Sequence, residues 1–193
     1  MTLLYLRHGQ TDWNARNLVQ GRTDIPLNER GREQARAQAE ALTTHRPPVE
    51  IIYASPMKRA RETAEIIQQA LDMPLRFDDR LVEMSFGKLE GIDRTLLIGG
   101  GIVGHWAALG EEEFLRQGAE TFLALYERVG DFLDDLFARH AGQCVLVVAH
   151  GGVGRMVHWY FHGQDESDVS KHGNAVLRCY EEKLAGERPT FTG

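Results

Sequence analysis

The stretch that decides the fold is residues 144–149 (CVLVVA), which are continuously apolar and rich in β-branched side chains. An uninterrupted apolar run of this length is typical of a strand that is buried on both faces of a parallel sheet. The run passes directly into His150, Gly151 and Gly152. The pattern therefore predicts a central strand that ends at a histidine followed by a pair of glycines.

Two other apolar runs have the same character as this strand. They are residues 3–6 (LLYL) and residues 51–54 (IIYA), and the second is followed at once by Ser55 and Pro56. Serine is a good N-cap, and proline fits the first position of a helix. The Ser55-Pro56 pair therefore predicts that a helix begins there.

Apolar residues at helical spacing lie between the strands. They predict helices over residues 28–42 with Asn28 as N-cap, from Ser55 onwards, over 119–139, and through Met156 and Trp159. Residues 175–182 alternate less cleanly and predict an edge strand. Strands that alternate with helices indicate an α/β fold, here a three-layer αβα sandwich with a mostly parallel central sheet. No repeat or linker interrupts the chain, so we expect residues 1–193 to form one domain.

The composition is that of a globular protein with an acidic balance. The 193 residues include 22 Lys and Arg against 28 Asp and Glu, which gives a net charge of −6. This balance argues against nucleic acid or an anionic membrane surface as a partner. No stretch approaches the roughly 20 apolar residues of a membrane span. The two cysteines, Cys144 and Cys179, form neither a disulfide framework nor a metal-ligand motif, so we expect free thiols in a reducing cytoplasm.

Chemically active side chains follow three of the predicted strands. Arg7 and His8 follow the first, Arg59 lies just beyond the second, and His150 follows the third. Ligands of open α/β sheets bind at the carboxyl ends of the strands. Any one of these residues alone would be an ordinary loop or surface residue. Together they predict a crevice for a phosphate group, because the planar arginine side chain matches phosphate oxygens.

These blocks resemble the signature of the histidine phosphatase superfamily, the phosphoglycerate mutase-like proteins. The matching blocks are in family order, and they are residues 6–11 (LRHGQT), 13–14 (WN), 20–21 (QG), 24–27 (DIPL), 55–60 (SPMKRA), 83–87 (EMSFG), 90–91 (EG) and 148–152 (VAHGG). The resemblance implies a phosphoglycerate mutase-like fold and phosphoryl transfer through a histidine. Residues 20–24 (QGRTD) look like the phosphatase branch of the superfamily.

The resemblance also implies a role for each matching residue. His8 would attack phosphorus and form a phosphohistidine, and we expect the Gly9 carbonyl to accept the hydrogen of the other ring nitrogen. Glu83 would protonate the departing oxygen and then activate water. Arg7, Arg59 and a cationic His150 would hold the phosphoryl oxygens. Further substrate contacts would come from Asn14, Gln20, Gly21 and Gly151.

The resulting expectation is a phosphoric monoester hydrolase of the histidine acid type, acting on a small phosphorylated metabolite. It would need neither metal nor cofactor, and it would be a monomer or a homodimer. The alternative within the family is phosphoglycerate mutase-type transfer, but the mutases compared are longer and have extra segments that close the site. A non-catalytic phosphate-binding module is a further alternative, although the complete set of candidate catalytic residues argues against it.

The segment 92–118 departs most from the family pattern. We expect it to form a cap or lid over the pocket and to select the leaving group, with Trp106 packed beneath it. Within it, residues 99–104 (GGGIVG) match G-x-G-x-x-G, which suggests a dinucleotide-dependent oxidoreductase. No strand that ends in Asp or Glu follows about 20 residues later, so the context of a dinucleotide site is missing.

Overall fold

A five-stranded sheet runs through the centre of the protein. The computed structural model describes residues 1–97, 104–105, 108, 110–163 and 173–181. The strands are β1 (Thr2–Arg7), β2 (Ile51–Ala54), β3 (Leu75–Phe77), β4 (Cys144–Ala149) and β5 (Leu177–Glu181), in the order β3-β2-β4-β1-β5. The first four strands are parallel, and β5 pairs antiparallel with β1 at one edge. The mostly parallel sheet and the edge strand are thus confirmed, and the structure adds the antiparallel direction of the edge strand.

Helices cover both faces of the sheet. They are α1 (Asp12–Ala15), α2 (Glu29–Thr43), α3 (Lys58–Leu71), α4 (Glu111–Arg116), α5 (Phe122–Arg139) and α6 (Gly151–His162), with single 3₁₀ turns at Asp79–Leu81, Gly87–Leu89 and Arg94–Leu96. Leu4 and Leu6 of β1 pack with residues of α2 and α3, whereas Leu3 and Tyr5 pack with residues of α5 and α6. This alternation along one strand produces the three layers that the sequence predicts.

One helix begins later than the sequence predicts. The helix after β2 starts at Lys58, and its N-cap is Met57, which makes no side-chain capping bond. The prediction that Ser55 caps this helix and Pro56 opens it is therefore wrong. The Ser55 hydroxyl lies 2.8 Å from the ring nitrogen Nε2 of His150 instead. The Ser55 side chain thus contacts a residue distant in sequence and does not cap the helix that the local pattern predicts.

The helix predicted from residue 119 also begins later, at Phe122. Thr121 is its N-cap, and the Thr121 hydroxyl accepts a hydrogen bond of 3.0 Å from the Ala124 N–H. Ala119 instead forms a bridge with Phe86. The glycines of residues 99–103 and Trp106 lie outside the described residues. No helix in the described part of the chain is both long and apolar enough to cross a membrane.

The strand order determines where the candidate residues meet. β2, β4 and β1 are neighbours, so their carboxyl ends form one continuous edge. Ser55, His150 and His8 are the first residues after these three strands. Their backbones are tied together at this edge, because the N–H of Ser55 donates to the Val148 carbonyl at 3.0 Å and that of His8 donates to the Ala149 carbonyl at 2.9 Å.

Candidate active site

His8 lies buried at the end of β1 with only one ring nitrogen available for reaction. Its Nδ1 is 2.7 Å from the Gly9 carbonyl oxygen, which can only accept a hydrogen. Nδ1 therefore carries the hydrogen, and Nε2 keeps its lone pair. Burial, helped by the charges of Arg59 and Arg7, holds the pKa of His8 well below its ordinary value. The expected contact with Gly9 is present, and it leaves a neutral imidazole suited to nucleophilic attack.

His150 is fully buried after β4, and its ring centroid is 5.2 Å from that of His8. The Tyr5 hydroxyl donates to the His150 carbonyl at 2.5 Å and fixes the backbone there. Burial, and then the neighbouring Arg59 and His8, hold the pKa of His150 well below its ordinary value. These surroundings favour a neutral ring, which differs from the cation that the resemblance implies. The sequence shows the residue but not the low-polarity surroundings or the nearby guanidinium groups that disfavour its charge.

Arg59 is a buried cation at the start of α3, with 1% of its surface exposed. Its terminal nitrogens donate to the carbonyl oxygens of Gly21 at 2.8 Å and Thr23 at 3.0 Å. Its Nε is also buried and has no hydrogen-bond partner among the described residues. Burial lowers the pKa of Arg59 to about 10, so the side chain stays charged at neutral pH. The guanidinium is thus fixed by the chain while one donor is left for an anion.

Glu90 fixes the loop that holds Arg59. Its carboxylate accepts hydrogen bonds from the N–H groups of Arg22 and Thr23, both at 2.9 Å, and from that of Phe86 at 3.1 Å. Glu90 belongs to one of the blocks that resemble the family, but the sequence indicates no role for it. Its function in the structure depends on a loop nearly 70 residues away in sequence, as the separation of 68 between Arg22 and Glu90 shows. No local pattern could have indicated this contact.

Glu83 lies buried against the start of α6. One carboxylate oxygen accepts from the Met84 N–H at 2.9 Å and the other from the Gly152 N–H at 3.1 Å. A side chain on Gly152 would overlap Glu83. A side-chain carbon on Gly151 would lie 3.7 Å from the Arg7 guanidinium and 4.0 Å from Glu83. Arg7 and Glu83 therefore lie close together beside Gly151, the first residue of α6.

Two of the glycines that follow the candidate histidines are in close contact with other parts of the protein. A side-chain carbon on Gly9 would overlap the backbone of Gly31, and one on Gly152 would overlap Glu83. Both glycines therefore allow close packing within the protein, which sets the position of the candidate catalytic groups.

Asn14 and Gln20 lie beside the His8 loop and are joined through Thr11. The Thr11 N–H donates to Asn14 at 3.1 Å, and the Thr11 hydroxyl donates to Gln20 at 2.9 Å. Asn174, which sequence reasoning missed, donates to the side-chain oxygen of Asn14 at 3.1 Å and to the His8 carbonyl at 3.2 Å. The segment before β5 is thus in contact with the nucleophile loop, a contact between residues 166 apart in sequence.

Arg94 is a second residue that the sequence did not single out. It is half-buried and lies close enough to Glu83 and Arg7 for their charges to interact. Burial lowers the pKa of Arg94, and the Glu83 carboxylate opposes that effect. Within the described part of the chain its guanidinium forms no ion pair. Its place in the segment 92–118, which departs from the family pattern, left no motif to mark it.

These groups together fit phosphoryl transfer through a histidine. A neutral imidazole, several guanidinium groups, a helix N-terminus and a buried carboxylate share one edge of the sheet, and each supplies part of that chemistry. Over the described ranges, no group of three or more His, Cys, Asp or Glu side chains is placed to hold a metal ion. The class of protein is therefore that of the phosphoryl-transfer enzymes with a histidine nucleophile.

The chain belongs to the histidine phosphatase superfamily (branch 1), whose family model matches residues 3–192. A metal-independent phosphoserine phosphatase of Arabidopsis thaliana is 34% identical over 191 residues, which covers 91% of this chain and 74% of the relative. A 2,3-bisphosphoglycerate-dependent phosphoglycerate mutase of Mycobacterium leprae is 34% identical over 144 residues, which covers 72% of this chain and 55% of the mutase. The solved structure of Bacillus stearothermophilus YhfR has a TM-score of 0.79 at 27% identity and covers 98% of both chains. The protein is thus an enzyme of this superfamily with a phosphoglycerate mutase-like fold.

The buried neutral histidines make stability dependent on pH. Between about pH 6.5 and the lower pKa of folded His8, the unfolded chain binds a proton that the folded chain does not. The stability contributed by the neutral ring is complete above about pH 6.5. We expect it to be lost, as the pH falls, at up to about 1.4 kcal/mol per pH unit for each such histidine.

Denaturant unfolding at several pH values between about 7.5 and 4.5 measures this dependence. His8→Asn removes the titrating ring, so the free energy of unfolding of this variant should fall less steeply with acid than that of the wild type. Equal slopes for the two proteins would contradict a buried, neutral His8.

Proposed function

We propose that the protein is a phosphomonoesterase that hydrolyses a small phosphorylated metabolite through a phosphohistidine on His8. We propose further that this phosphoric monoester hydrolase is of the histidine acid type. The observation that carries the proposal is the state of His8. The ring is buried and neutral, its Nδ1–H is held by Gly9 at 2.7 Å, and the lone pair of Nε2 is left for attack.

The first step transfers the phosphoryl group to His8. The lone pair of Nε2 forms a bond to phosphorus while the bond from phosphorus to the ester oxygen breaks, and Glu83 gives its proton to the departing oxygen. Phosphorylation makes the imidazole ring cationic, and the Gly9 carbonyl stabilises the remaining N–H. Arg7 and Arg59 stabilise the charge on the phosphoryl oxygens. The Arg59 guanidinium is already held in place by the Gly21 and Thr23 carbonyl oxygens.

The second step returns His8 to its starting state. Glu83, now a carboxylate, takes a proton from water as the water oxygen attacks phosphorus. The bond between phosphorus and Nε2 breaks, and its electron pair returns to the ring. The products are inorganic phosphate and the neutral histidine, so the cycle closes without a metal or an oxidant.

The substrate that this site favours is small and anionic. The net charge of −6 disfavours polyanions such as nucleic acid. We propose that residues 92–118 form the cap that selects the leaving group, and the position of Arg94 near Glu83 supports this proposal. A guanidinium at that place favours an ester with a second negative charge, such as the carboxylate of phosphoserine or phosphoglycerate.

Mutase-type transfer is the alternative activity on this fold. A mutase must retain the phosphoryl group and exclude water from the phosphohistidine. The match extends over 74% of the plant phosphatase but over 55% of the mycobacterial mutase. The wider match to the phosphatase supports hydrolysis. Cys144 and Cys179 are free thiols, and Cys179 is exposed, which supports the proposal that the enzyme acts in the reducing cytoplasm.

A phosphatase assay with a metal chelator tests the proposal. The panel contains phosphoserine, phosphoglycerate, a hexose phosphate and a nucleoside monophosphate. We expect release of inorganic phosphate in the presence of chelator, with the carboxylate-bearing esters turned over fastest. Rapid quenching should trap an acid-labile phosphohistidine. A strict requirement for added divalent metal would contradict the mechanism, and phosphate exchange between phosphoglycerates without hydrolysis would favour the mutase.

A further inference from the structure

Ser55 places a fully buried hydroxyl beside His150. Its exposed fraction is 0%, and its oxygen is 2.8 Å from Nε2 of His150. The contact is set by the sheet, because β2 and β4 are paired up to Ala54 and Val148 and the Ser55 N–H donates to the Val148 carbonyl. The hydroxyl does not cap α3, and the mechanism above does not use it.

The direction of this hydrogen bond follows from the donors and acceptors around Ser55. The hydroxyl oxygen accepts a long hydrogen bond, 3.4 Å, from the Met57 N–H. Its own hydrogen has one acceptor among the described residues, Nε2 of His150. If Nε2 carried a hydrogen, the buried hydroxyl would have nothing to donate to, an arrangement that proteins avoid. Nε2 is therefore the bare nitrogen of the ring.

The other ring nitrogen of His150 then carries the hydrogen. Nδ1 is buried and has no hydrogen-bond partner within the described residues. The groups whose charges disfavour a cationic ring are Arg7 and His8 from β1 and its end, Arg59 from α3, and Arg128 from α5. The acidic group at the same helix start is Glu83, which accepts the Gly152 N–H. Three arginines act on the ring, so a hydrogen-bond donor without its own positive charge fits this position.

We propose that Ser55 is a positioning residue that holds His150 as the neutral tautomer with the hydrogen on Nδ1. His150 then serves the phosphate site as a hydrogen-bond donor and not as a cation. This inference rests on the proposed function for its catalytic meaning. When His8 becomes a phosphoimidazolium, its ring gains positive charge at a centroid distance of 5.2 Å from His150. A neutral His150 stabilises the phosphoryl oxygens without opposing that charge.

Nitrogen NMR of protein labelled in its histidine rings tests the tautomer directly. The signals of His150 are identified by their absence from His150→Asn. In the wild type at neutral pH we expect a protonated Nδ1 and a bare Nε2. Ser55→Ala should lose this single tautomer and give a mixture. Ser85→Ala, which deletes a hydroxyl that donates to the Gly118 carbonyl, should keep the wild-type pattern.

The wild-type spectrum alone can overturn the proposal, even if Ser55→Ala does not fold. A hydrogen on Nε2, or on both ring nitrogens, would refute it, and so would a wild-type tautomer in folded Ser55→Ala. These readouts need no turnover, so they separate a failure of this inference from a failure of the proposed phosphatase activity.

Kinetics provide the second readout. Loss of one preorganised donor costs at most about 10²–10³-fold in rate, so we expect Ser55→Ala to lower kcat by about 10- to 100-fold with a smaller change in KM. Ser55→Thr keeps the hydroxyl and should recover part of kcat together with the single tautomer. A merely structural role for Ser55 would lower the fraction of active enzyme in both variants and leave the tautomer of the folded fraction unchanged, which would contradict the proposal.

Discussion

His8→Ala is expected to abolish turnover of every phosphate ester and to leave the fold intact. The substitution removes Nε2, the atom to which the phosphoryl group is transferred, so neither half of the reaction can proceed. We expect kcat to fall by at least about 10⁴-fold, the scale on which loss of a nucleophile acts. The same variant should show no covalent labelling by a radioactive phosphate ester, because the labelled bond is the one that His8 forms.

The control for this experiment is His45→Ala. His45 lies between α2 and β2, at the end of the sheet opposite to the candidate site, and its Nδ1 contacts the Pro47 carbonyl. The His45→Ala variant should retain wild-type labelling and turnover. Circular dichroism should confirm that both variants are folded. A normal rate or normal labelling in His8→Ala would end the assignment of His8 as nucleophile.

Glu83→Gln is expected to slow the hydrolysis of esters with poor leaving groups more than that of esters with good leaving groups. An alkoxide needs a proton as it departs, so hydrolysis of phosphoserine should slow by about 10²- to 10⁴-fold, the usual contribution of a general acid. Nitrophenolate departs without a proton, so hydrolysis of nitrophenyl phosphate should slow much less. The ratio of the two kcat/KM values is the measurement.

The ratio is needed because Glu83→Gln also disturbs the site. Both oxygens of Glu83 accept backbone N–H groups, from Met84 and Gly152. An amide has only one oxygen, so one of these N–H groups loses its acceptor. That structural cost affects both substrates alike and cancels in the ratio. Glu65→Gln, on the exposed side of α3, is the matched control. Equal losses on both substrates would argue against the acid role.

The elements that could be predicted from the sequence are those with local signals. The strand Cys144–Ala149 has the predicted bounds. Each of its residues is buried, so the strand is a continuous apolar run that can be recognised in the sequence. Asn28 caps α2 as predicted, since capping involves only residues of the first turn. The three-residue strand Leu75–Phe77 was not predicted, because so short a segment has no period to detect.

The parts of the site that sequence could not reveal depend on distant contacts. Ser55 precedes a proline, as a helix cap often does, yet its partner is 95 residues away. The charge state of His150 depends on burial and on side chains from three other elements. Arg7, His8, Arg59 and His150 were predictable because they follow recognisable strands, and the strand order then brings them together. Glu83 follows no predicted strand, and only the family resemblance indicated it.

The way in which Arg59 is held has a consequence for how this enzyme can diverge. The guanidinium is fixed by the carbonyl oxygens of Gly21 and Thr23, which are atoms that every amino acid possesses. Side chains along that loop can therefore be exchanged while the anion-binding group stays where it is. Selection can change what borders the site without rebuilding the reaction centre. An architecture of this kind allows one chemical step to be inherited by enzymes of many substrates.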